Sequence, residues 1–168
     1  AGALAAGATK RSKLVVARTV HPEARRILRA VANGLRLEVV EVGYADGVTD
    51  MDELKAATDR DTAAVIVQSP NFFGCIENVA EFEPVAHGAG ALLVVSCNPL
   101  ALALLEPPGR LGADIAVGDA QPFGIPASFG GPTCGYFAVA EPWMRRMPGR
   151  IVGQTVDRDG KRGFVLTL

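Results

Sequence analysis

The residues that could bind a ligand follow strand-like apolar runs, and their types favour hydrogen bonding over covalent chemistry. The candidates are four polar side chains, one after each of four runs: His21, Asn71, Asn98 and Gln121. Ligands of open α/β sheets lie beyond the carboxyl ends of the strands, so we expect these side chains to share one rim. Because the rim is polar but nearly uncharged, it carries no obvious nucleophile or activating base.

Motifs that mark common catalytic and nucleotide sites are absent from the sequence. It contains no Walker A phosphate loop, no Gly-x-Gly-x-x-Gly after a strand and no Gly-x-Ser-x-Gly turn. Ser128 has no evident general base, because the only histidines are His21 and His87. His21 suits a ligand contact and a helix start equally well, whereas His87 falls late in a helix, where we expect a solvent position. No metal site is expected, because the histidines show no ligand spacing to the three cysteines, Cys75, Cys97 and Cys134.

The loop between the last two strand-like runs is crowded with residues that favour turns. It lies within "DIAVGDAQPFGIPASFGGPTCGYFAVA", residues 114–140. Its glycines either satisfy turns or let the backbone approach a phosphate or a partner's cofactor, and composition does not separate the two. Gly130 and Gly131 suit an anion nest, which defines one alternative function: a free-standing α/β module that binds a phosphorylated small molecule.

Length, composition and charge indicate one soluble domain. The chain has 168 residues, of which 49% are apolar and 21% charged, and its net charge is −1. Such a small net charge provides no field to attract nucleic acid or an anionic membrane surface, so neither partner is expected. No apolar run approaches the roughly 20 residues that span a bilayer. Cysteines without a disulfide framework favour a reducing, cytoplasmic compartment.

Strand-like runs alternate with helical patterns, which predicts an α/β fold with a mostly parallel sheet and helices on both faces. The strands are expected at 13–20, 36–44, 62–70, 91–97 and 114–119. The second run alternates apolar and polar residues, so we place it near a sheet edge.

Turn and capping residues set the expected boundaries of the remaining elements. One helix should begin at Pro22 and end in left-handed geometry at Asn33–Gly34. A second is expected after an N-cap at Thr49 or Asp50, and a third over 76–90. The run Gly135–Ala140 follows the fifth strand after only a loop, too short for a crossover helix, and is therefore predicted to be antiparallel.

Longer blocks of the sequence resemble one protein family. The most specific are "PNFFG" at 70–74, "GIPASFGGP" at 124–132 and "MPGRIVGQTVDRDGKRGFVLTL" at 147–168. They are similar to the glycine cleavage system P-protein family, glycine decarboxylase, and within it to subunit 1 of the two-subunit bacterial form. The resemblance runs from about residue 14 to the end of the chain.

The resemblance implies a fold, a reaction and a set of partners. The fold is the large domain of pyridoxal-phosphate fold type I, a seven-stranded and mostly parallel sheet whose antiparallel strand is Gly135–Ala140. Residues 1–168 are then one partial large domain, with the family's first strand before residue 1 and its small C-terminal domain after Leu168. The family's complex uses pyridoxal phosphate to remove CO2 from glycine, and passes the aminomethyl group to lipoyl H-protein.

Two positions depart from the catalytic pattern that the resemblance implies. The family's catalytic halves carry a Schiff-base lysine in a stretch that aligns with "AQPFGIP", which places Gln121 at that position. A carboxamide nitrogen cannot form an imine. The carboxylate that pairs with the pyridinium nitrogen corresponds to Asn98, whose amide adds no negative charge to hold the ring proton. The alternative that both residues merely cap strand ends stays open.

We therefore expect a non-catalytic subunit 1 that supports a lysine-bearing subunit 2. Pyridoxal phosphate is expected on the partner subunit, with none bound covalently here, and lipoyl H-protein is expected as a transient partner. An uncovered sheet edge and helix-facing surface would also favour self-association. A rival hypothesis, a pyridoxal-phosphate enzyme with a displaced lysine, would need a lysine at a strand end, whereas we expect all four in solvent: Lys10, Lys13, Lys55 and Lys161.

Overall fold

The computed structural model describes residues 1–167, and Leu168 lies outside the described residues. The helices are α1 (Gly2–Thr9), α2 (Pro22–Leu35), α3 (Met51–Ala57) and α4 (Val79–Gly88). The strands are β1 (Lys13–Ala17), β2 (Glu38–Val42), β3 (Tyr44–Ala45), β4 (Val48–Thr49), β5 (Thr62–Gln68), β6 (Leu92–Ser96), β7 (Ile115–Asp119), β8 (Gly135–Val139), β9 (Ile151–Val156) and β10 (Arg162–Thr167). Short 3₁₀ helices cover Pro99–Ala103, Pro108–Leu111, Gln121–Phe123, Ser128–Gly130 and Glu141–Arg146.

A six-stranded sheet in the order β2-β1-β5-β6-β7-β8 forms the centre of the fold. Its first five strands are parallel to one another, and β8 is antiparallel to β7. The predicted mostly parallel sheet and the predicted antiparallel strand are therefore confirmed. The alternating strand β2 lies at a sheet edge, as its pattern predicted, and β3 with β4 forms a separate small hairpin.

The three central parallel strands are buried on both faces, which explains why their sequences are apolar throughout. Val16, Ile66 and Val94 are paired in register and face α1 and α2. The alternate residues Val15, Val65 and Leu93 are fully buried in the same core. These alternate residues face the other side of the sheet. Helices α3 and α4 cover that side, where Leu54 and Phe82 are buried against the strands. No helix within residues 1–167 has the length and apolar character needed to cross a membrane.

Helix boundaries follow local capping and differ from the sequence expectation at α2 and at α4, which spans Val79–Gly88 rather than 76–90. The carboxylate Oδ1 of Asp50 accepts hydrogen bonds from the backbone N–H groups of Asp52 and Glu53, at 2.9 and 3.0 Å, so Asp50 is the N-cap of α3. Helix α2 does not end at Asn33–Gly34. It continues to Leu35, and Arg36 takes the left-handed conformation, with φ 56° and ψ 40°.

The alanine-rich start of the chain forms α1, which the sequence analysis did not predict. Gly2 and Ala5 are buried on the sheet, and a Cβ on Gly2 would lie 3.0 Å from Leu14 Cδ1 and 3.2 Å from Leu28 Cδ1. Small side chains allow the helix to approach the strands closely, but they produce no clear amphipathic pattern. The helix is therefore defined by its packing against the sheet rather than by a hydrophobic period.

Lys13 contradicts the expectation that all four lysines are solvated. It opens β1 at the amino end of the strand and is buried. Its ammonium forms an ion pair with Asp59 at 2.6 Å and donates to the backbone oxygen of Ala57 at 2.9 Å. The hydrogen bond from Lys13 is the main reason that the pKa of Asp59 lies below its usual value. Burial is tolerated because the charge is paired.

His87 is exposed, as expected, and it also links α4 to the start of β7. Its Nδ1 is 2.7 Å from Glu83 Oε1, and its Nε2 is 2.8 Å from Asp114 Oδ2. Asp114 also accepts hydrogen bonds from the N–H of Leu93 at 2.8 Å and from Trp143 Nε1 at 3.0 Å. Partial burial lowers the pKa of His87, but the hydrogen bonds to the two carboxylates outweigh it and raise the pKa above its usual 6.5.

We expect His87 to make the stability of the domain depend on pH. Its folded pKa lies above the unfolded value, so its contribution is complete below about pH 6.5 and is lost as the pH rises through the folded pKa. Urea unfolding between about pH 5.5 and about pH 8.5 should show a lower free energy of unfolding at the alkaline end. The His87→Gln variant should lose this part of the dependence, and an unchanged pH slope in that variant would contradict the assignment.

Candidate functional site

The carboxyl ends of β1, β5, β6 and β7 meet at one edge of the sheet and carry all four predicted site residues. His21 follows β1, Asn71 follows β5, Asn98 follows β6 and Gln121 follows β7. The loops after β1 and β5 are joined, because Phe72 N–H donates to Thr19 O at 2.8 Å. The 3₁₀ helices that follow Asn98 and begin at Gln121 also lie against each other. The structure therefore brings the four residues to one edge, in two adjacent pairs of loops.

A buried carboxylate, Glu77, holds this edge together. Its two oxygens accept hydrogen bonds from Thr49 N–H, each at 3.1 Å, and Oε1 also accepts from Thr49 Oγ1 and Asn71 Nδ2, each at 2.9 Å. Thr49 Oγ1 lies 3.0 Å from Thr19 Oγ1 in the first loop. Backbone and side-chain donors thus satisfy both oxygens of Glu77, which allows its polar group to be buried.

Asn71 belongs to this buried network rather than to the solvent-facing rim. Its Nδ2 donates to Gly47 O at 2.8 Å as well as to Glu77, and its Oδ1 accepts from the N–H groups of Phe73 and Cys75 at 3.0 and 3.1 Å. Both ends of the carboxamide are therefore engaged within the chain. Asn71 shapes the loop, and its side chain is not presented to a ligand in this structure.

Exposed aromatic side chains lie on the surface above the network. The rings of Phe72 and Phe73 are 5.8 Å apart, and Tyr44 lies 4.8 Å from Phe73. Phe72 also contacts the His21 ring edge-on at 5.1 Å, and the Arg18 guanidinium lies 5.9 Å from the Tyr44 ring. Each of the three aromatic residues is nearly half exposed. An exposed aromatic surface thus lies beside His21, next to the Glu77 network.

His21 combines the two roles that the sequence left open, a helix cap and an exposed side chain at the edge. Its Nδ1 accepts a hydrogen bond from Glu23 N–H at 3.2 Å at the start of α2, and its own N–H donates to Gln68 Oε1 at 2.9 Å. The Gln68 amide also donates to Pro70 O at 3.1 Å, which links this helix start to the β5 loop.

Asn98 is the N-cap of one short 3₁₀ helix and Gln121 is the first residue of another, and both use their polar atoms locally. Asn98 Oδ1 accepts a hydrogen bond from Leu100 N–H at 3.0 Å, and the residue is exposed. Gln121 N–H donates to Asp119 Oδ1 at 2.9 Å, and its Nε2 donates to Pro126 O at 3.4 Å across the loop. Both amides therefore have capping or loop-closing roles.

Beneath these two residues, the Tyr136 side chain lies close to the backbone of Gly118 and Cys97. Tyr136 on β8 reaches across β7 and donates its hydroxyl to Cys97 O at 2.7 Å, with the hydroxyl 2.8 Å from Cys97 Sγ. Gly118 on β7 makes this possible, since a Cβ there would lie 2.3 Å from Cys97 O and 2.7 Å from the Tyr136 hydroxyl. Burial raises the pKa of both the Cys97 thiol and the Tyr136 phenol, so both stay protonated at neutral pH.

The edge does not fit a covalently bound pyridoxal phosphate. The carboxamide of Gln121 cannot form an imine, and Asn98 Oδ1 caps a helix turn. Within residues 1–167 no lysine lies at the carboxyl end of a strand of the six-stranded sheet: Lys10 is the C-cap of α1, Lys13 opens β1, Lys55 lies in α3 and Lys161 lies in the turn between β9 and β10. Nor do three or more His, Cys, Asp or Glu side chains of the described chain form a metal site.

The sequence analysis did not identify the roles of Glu77, Thr49 and Tyr136. These residues hold in place the loops at the carboxyl ends of the strands. Glu77 is one acidic residue in the polar stretch "CIENVAEFE", and nothing in that pattern separates it from solvated neighbours such as Glu81. The only sequence signal was the closeness of Glu77 to the "PNFFG" block. Its burial depends on contacts with β4, 28 residues earlier in the chain.

Comparison with known proteins supports the class of fold and site described above. In a solved structure titled "Crystal structure of glycine decarboxylase (P-protein) of the glycine cleavage system, in inhibitor-bound form", the matching region is 44% identical to this chain, with a TM-score of 0.93. The match covers 98% of this chain and 37% of that one. The sheet and its antiparallel strand therefore belong to the fold expected for a pyridoxal-phosphate fold type I large domain.

Sequence comparison defines the family. The model of the glycine cleavage system P-protein matches residues 1–168, so the chain belongs to that family. Proteins named "Probable glycine dehydrogenase (decarboxylating) subunit 1" are 62% identical in Brevibacillus brevis, over 169 residues, and 59% identical in Bacillus subtilis, over 168 residues. The matches cover 100% of this chain and 38% of each relative, so the chain spans well under half the length of the relatives.

Replacement of Glu77 should destabilise the domain. In Glu77→Gln an amide N–H₂ replaces one of the oxygens that accept from Thr49 and Asn71, which leaves buried donors facing one another. We expect a loss of about 1–3 kcal/mol in the free energy of unfolding. Urea unfolding measures it, with Glu81→Gln on the exposed surface of α4 as the matched control; equal stabilities of the two variants would argue against the network.

Replacement of Gly118 should also be costly. A methyl group in Gly118→Ala would collide with Cys97 O and the Tyr136 side chain, and relief requires movement of backbone in two strands. We expect a loss of about 1–3 kcal/mol. Gly135→Ala is the control, because the nearest atom to its Cβ would be Gly118 O at 3.8 Å. Thermal unfolding of the two variants side by side tests the difference, and a stable Gly118→Ala protein would contradict it.

Proposed function

We propose that this chain belongs to a non-catalytic subunit 1 of glycine decarboxylase. It would support a lysine-bearing subunit 2 in decarboxylating glycine and transferring the aminomethyl group to lipoyl H-protein. The relatives are named glycine dehydrogenase (decarboxylating) subunit 1, and such a name implies at least one further subunit. Residues 1–168 would be part of the large domain of that subunit, in the cytoplasm, where its three free cysteines stay reduced.

The proposal is supported by Gln121, the residue that the family resemblance aligns with the Schiff-base lysine, and by its place directly after β7. Gln121 follows β7 at the sheet edge where ligands of α/β proteins lie. The backbone position therefore suits a cofactor-binding lysine, but the Gln121 side chain cannot form the imine. Pyridoxal phosphate, which would supply the electron sink for decarboxylation, would be held covalently by the partner subunit.

The role of this chain in the complex would be to supply a rigid wall. The Glu77 network fixes the loops after β1 and β5, and the Tyr136 hydroxyl fixes the end of β6. None of these groups is a free acid, base or nucleophile. Preformed hydrogen-bonded loops keep a shared site ordered without a further entropic cost on assembly, and the exposed aromatic surface with His21 offers contacts to a partner or to an entering lipoyl arm.

A trapping experiment tests the proposal. After incubation with pyridoxal phosphate and borohydride reduction, intact mass spectrometry should show no stoichiometric adduct on this chain. When subunit 2 is present, the reduced adduct should map to a lysine of subunit 2. Nonspecific surface labelling is controlled by Lys55→Arg, which should leave the result unchanged. A stoichiometric adduct on any of the four lysines of this chain would refute the proposal.

A further inference from the structure

The side chain of His87 is held between two carboxylates. Its Nδ1 is 2.7 Å from Glu83 Oε1, one turn earlier in α4, and its Nε2 is 2.8 Å from Asp114 Oδ2, just before β7. Both distances are those of hydrogen bonds, and an ionised carboxylate can only accept. Both ring nitrogens must therefore carry a proton if both contacts are to be made, and only the imidazolium form of His87 provides two.

The neutral ring of His87 has to give up one of the two contacts. Neutral imidazole has a single N–H, so its other nitrogen presents a lone pair to a carboxylate oxygen. Two lone pairs at hydrogen-bond distance repel each other, and the weaker contact opens. Loss of the proton from His87 is therefore tied to a movement, and the surroundings of the two carboxylates decide which of them moves.

Asp114 is the more firmly held of the two carboxylates. Its side chain is 15% exposed, and besides His87 it accepts from Leu93 N–H at 2.8 Å and from Trp143 Nε1 at 3.0 Å. Its backbone N–H donates to Leu93 O at 2.9 Å, and its backbone oxygen accepts from Ala140 N–H at 2.8 Å. Asp114 thus joins β6, the start of β7, the end of β8 and Trp143, and its movement would break several hydrogen bonds at once.

Glu83 is held much less firmly. Its side chain is 40% exposed, and within residues 1–167 its carboxylate has no hydrogen-bond partner other than His87. An exposed carboxylate that loses a partner is rehydrated at little cost, whereas loss of a partner in a buried network leaves polar groups unsatisfied. The contact between His87 and Glu83 is therefore the one that opens.

Other charged groups near α4 face elsewhere. The arginines of neighbouring elements have partners of their own, which are the backbone oxygens of Ala89 and Thr62 for Arg11, Gly7 O for Arg146 and Glu106 for Arg110. Strands β5 and β6, on which α4 packs, contain no charged residue. Three charged residues line a groove between α3 and α4 that excludes Glu83 and His87: Lys55, Asp59 and Arg60. Glu83 and Asp114 therefore set the charge around the His87 ring.

We propose that His87 is a one-sided pH switch, whose deprotonation releases Glu83 on α4 and keeps the hydrogen bond to Asp114. The neutral ring then carries its proton on Nε2. The exposed link from the ring to α4 opens, whereas the junction of β6, β7 and β8 at Asp114 stays intact. Strand β7 leads from that junction to the carboxyl edge at Gln121, so the edge keeps its support on both sides of the transition.

Nitrogen-15 NMR of histidine-labelled protein measures the tautomer directly. The chain has two histidines, so the His87→Gln variant assigns both sets of signals. We expect a His87 transition between about pH 5.5 and about pH 9. Above it, Nε2 should be protonated and Nδ1 unprotonated, with the reverse tautomer at about one tenth of the population or less. A majority of the Nδ1–H tautomer, an even mixture or the lack of any transition in this range would each overturn the proposal.

A pair of variants on α4 tests which contact opens. Glu83→Gln removes the charge at Nδ1, and Glu81→Gln is the matched control, because Glu81 accepts from Asn78 Nδ2 at 2.7 Å. At about pH 5.5, Glu83→Gln should lower the urea midpoint of unfolding by roughly 0.2 M. At about pH 8.5 it should leave the midpoint unchanged, since Glu83 is already released. The control should show no such pH-dependent difference, and an equal loss in Glu83→Gln at both pH values would contradict the release of Glu83.

The single tryptophan of the chain reports on the other contact. Trp143 Nε1 donates to Asp114, so its emission maximum depends on whether Asp114 stays in place. We expect no movement of the emission maximum through the His87 transition, in the wild type and in Glu83→Gln alike. A shift in the wild type that follows the NMR transition of His87 would show that Asp114 moves, and would overturn the proposal.

Discussion

Burial of a parallel sheet on both faces is the constraint on which the rest of this structure depends. Parallel strands need cover on each side, so the residues of β1, β5 and β6 are apolar at successive positions and not only at alternate ones. Four helices supply much of that cover. Small residues in α1 allow one of them to lie directly on the strands, and Gly118 allows Tyr136 to cross a neighbouring strand without a gap.

The same constraint confines polar function to the ends of the strands. A polar group in the middle of β5 or β6 would lose its water without a partner, whereas the loops beyond their carboxyl ends can be hydrated or hydrogen-bonded. Glu77 is an example at this edge. Its buried carboxyl oxygens accept hydrogen bonds from Thr49 and Asn71, and no cationic side chain within residues 1–167 contacts them. That order is consistent with a supporting wall, since it fixes loops without leaving a reactive group free.

The hydrogen-bonded carboxyl edge fits the proposed role in a shared assembly. The carboxyl edge lies where ligands of open α/β sheets bind, and it carries the amides Asn98 and Gln121 at the positions that the family resemblance aligns with a carboxylate and a lysine. Under the proposed function, a catalytic partner would supply the groups that this edge lacks.

Local patterns in the sequence determined the parallel strands, the edge position of β2, the antiparallel strand β8 and the amide residues at the strand ends. Those features depend on short apolar runs, loop length and residue type, which act over a few neighbouring residues. The tertiary structure alone decided the helix at residues 2–9, the left-handed Arg36, the burial of Lys13 and the engagement of Asn71 and Glu77. Each of these depends on contacts with segments distant in the chain, because burial and hydrogen-bond partners arise only when the sheet brings those segments together.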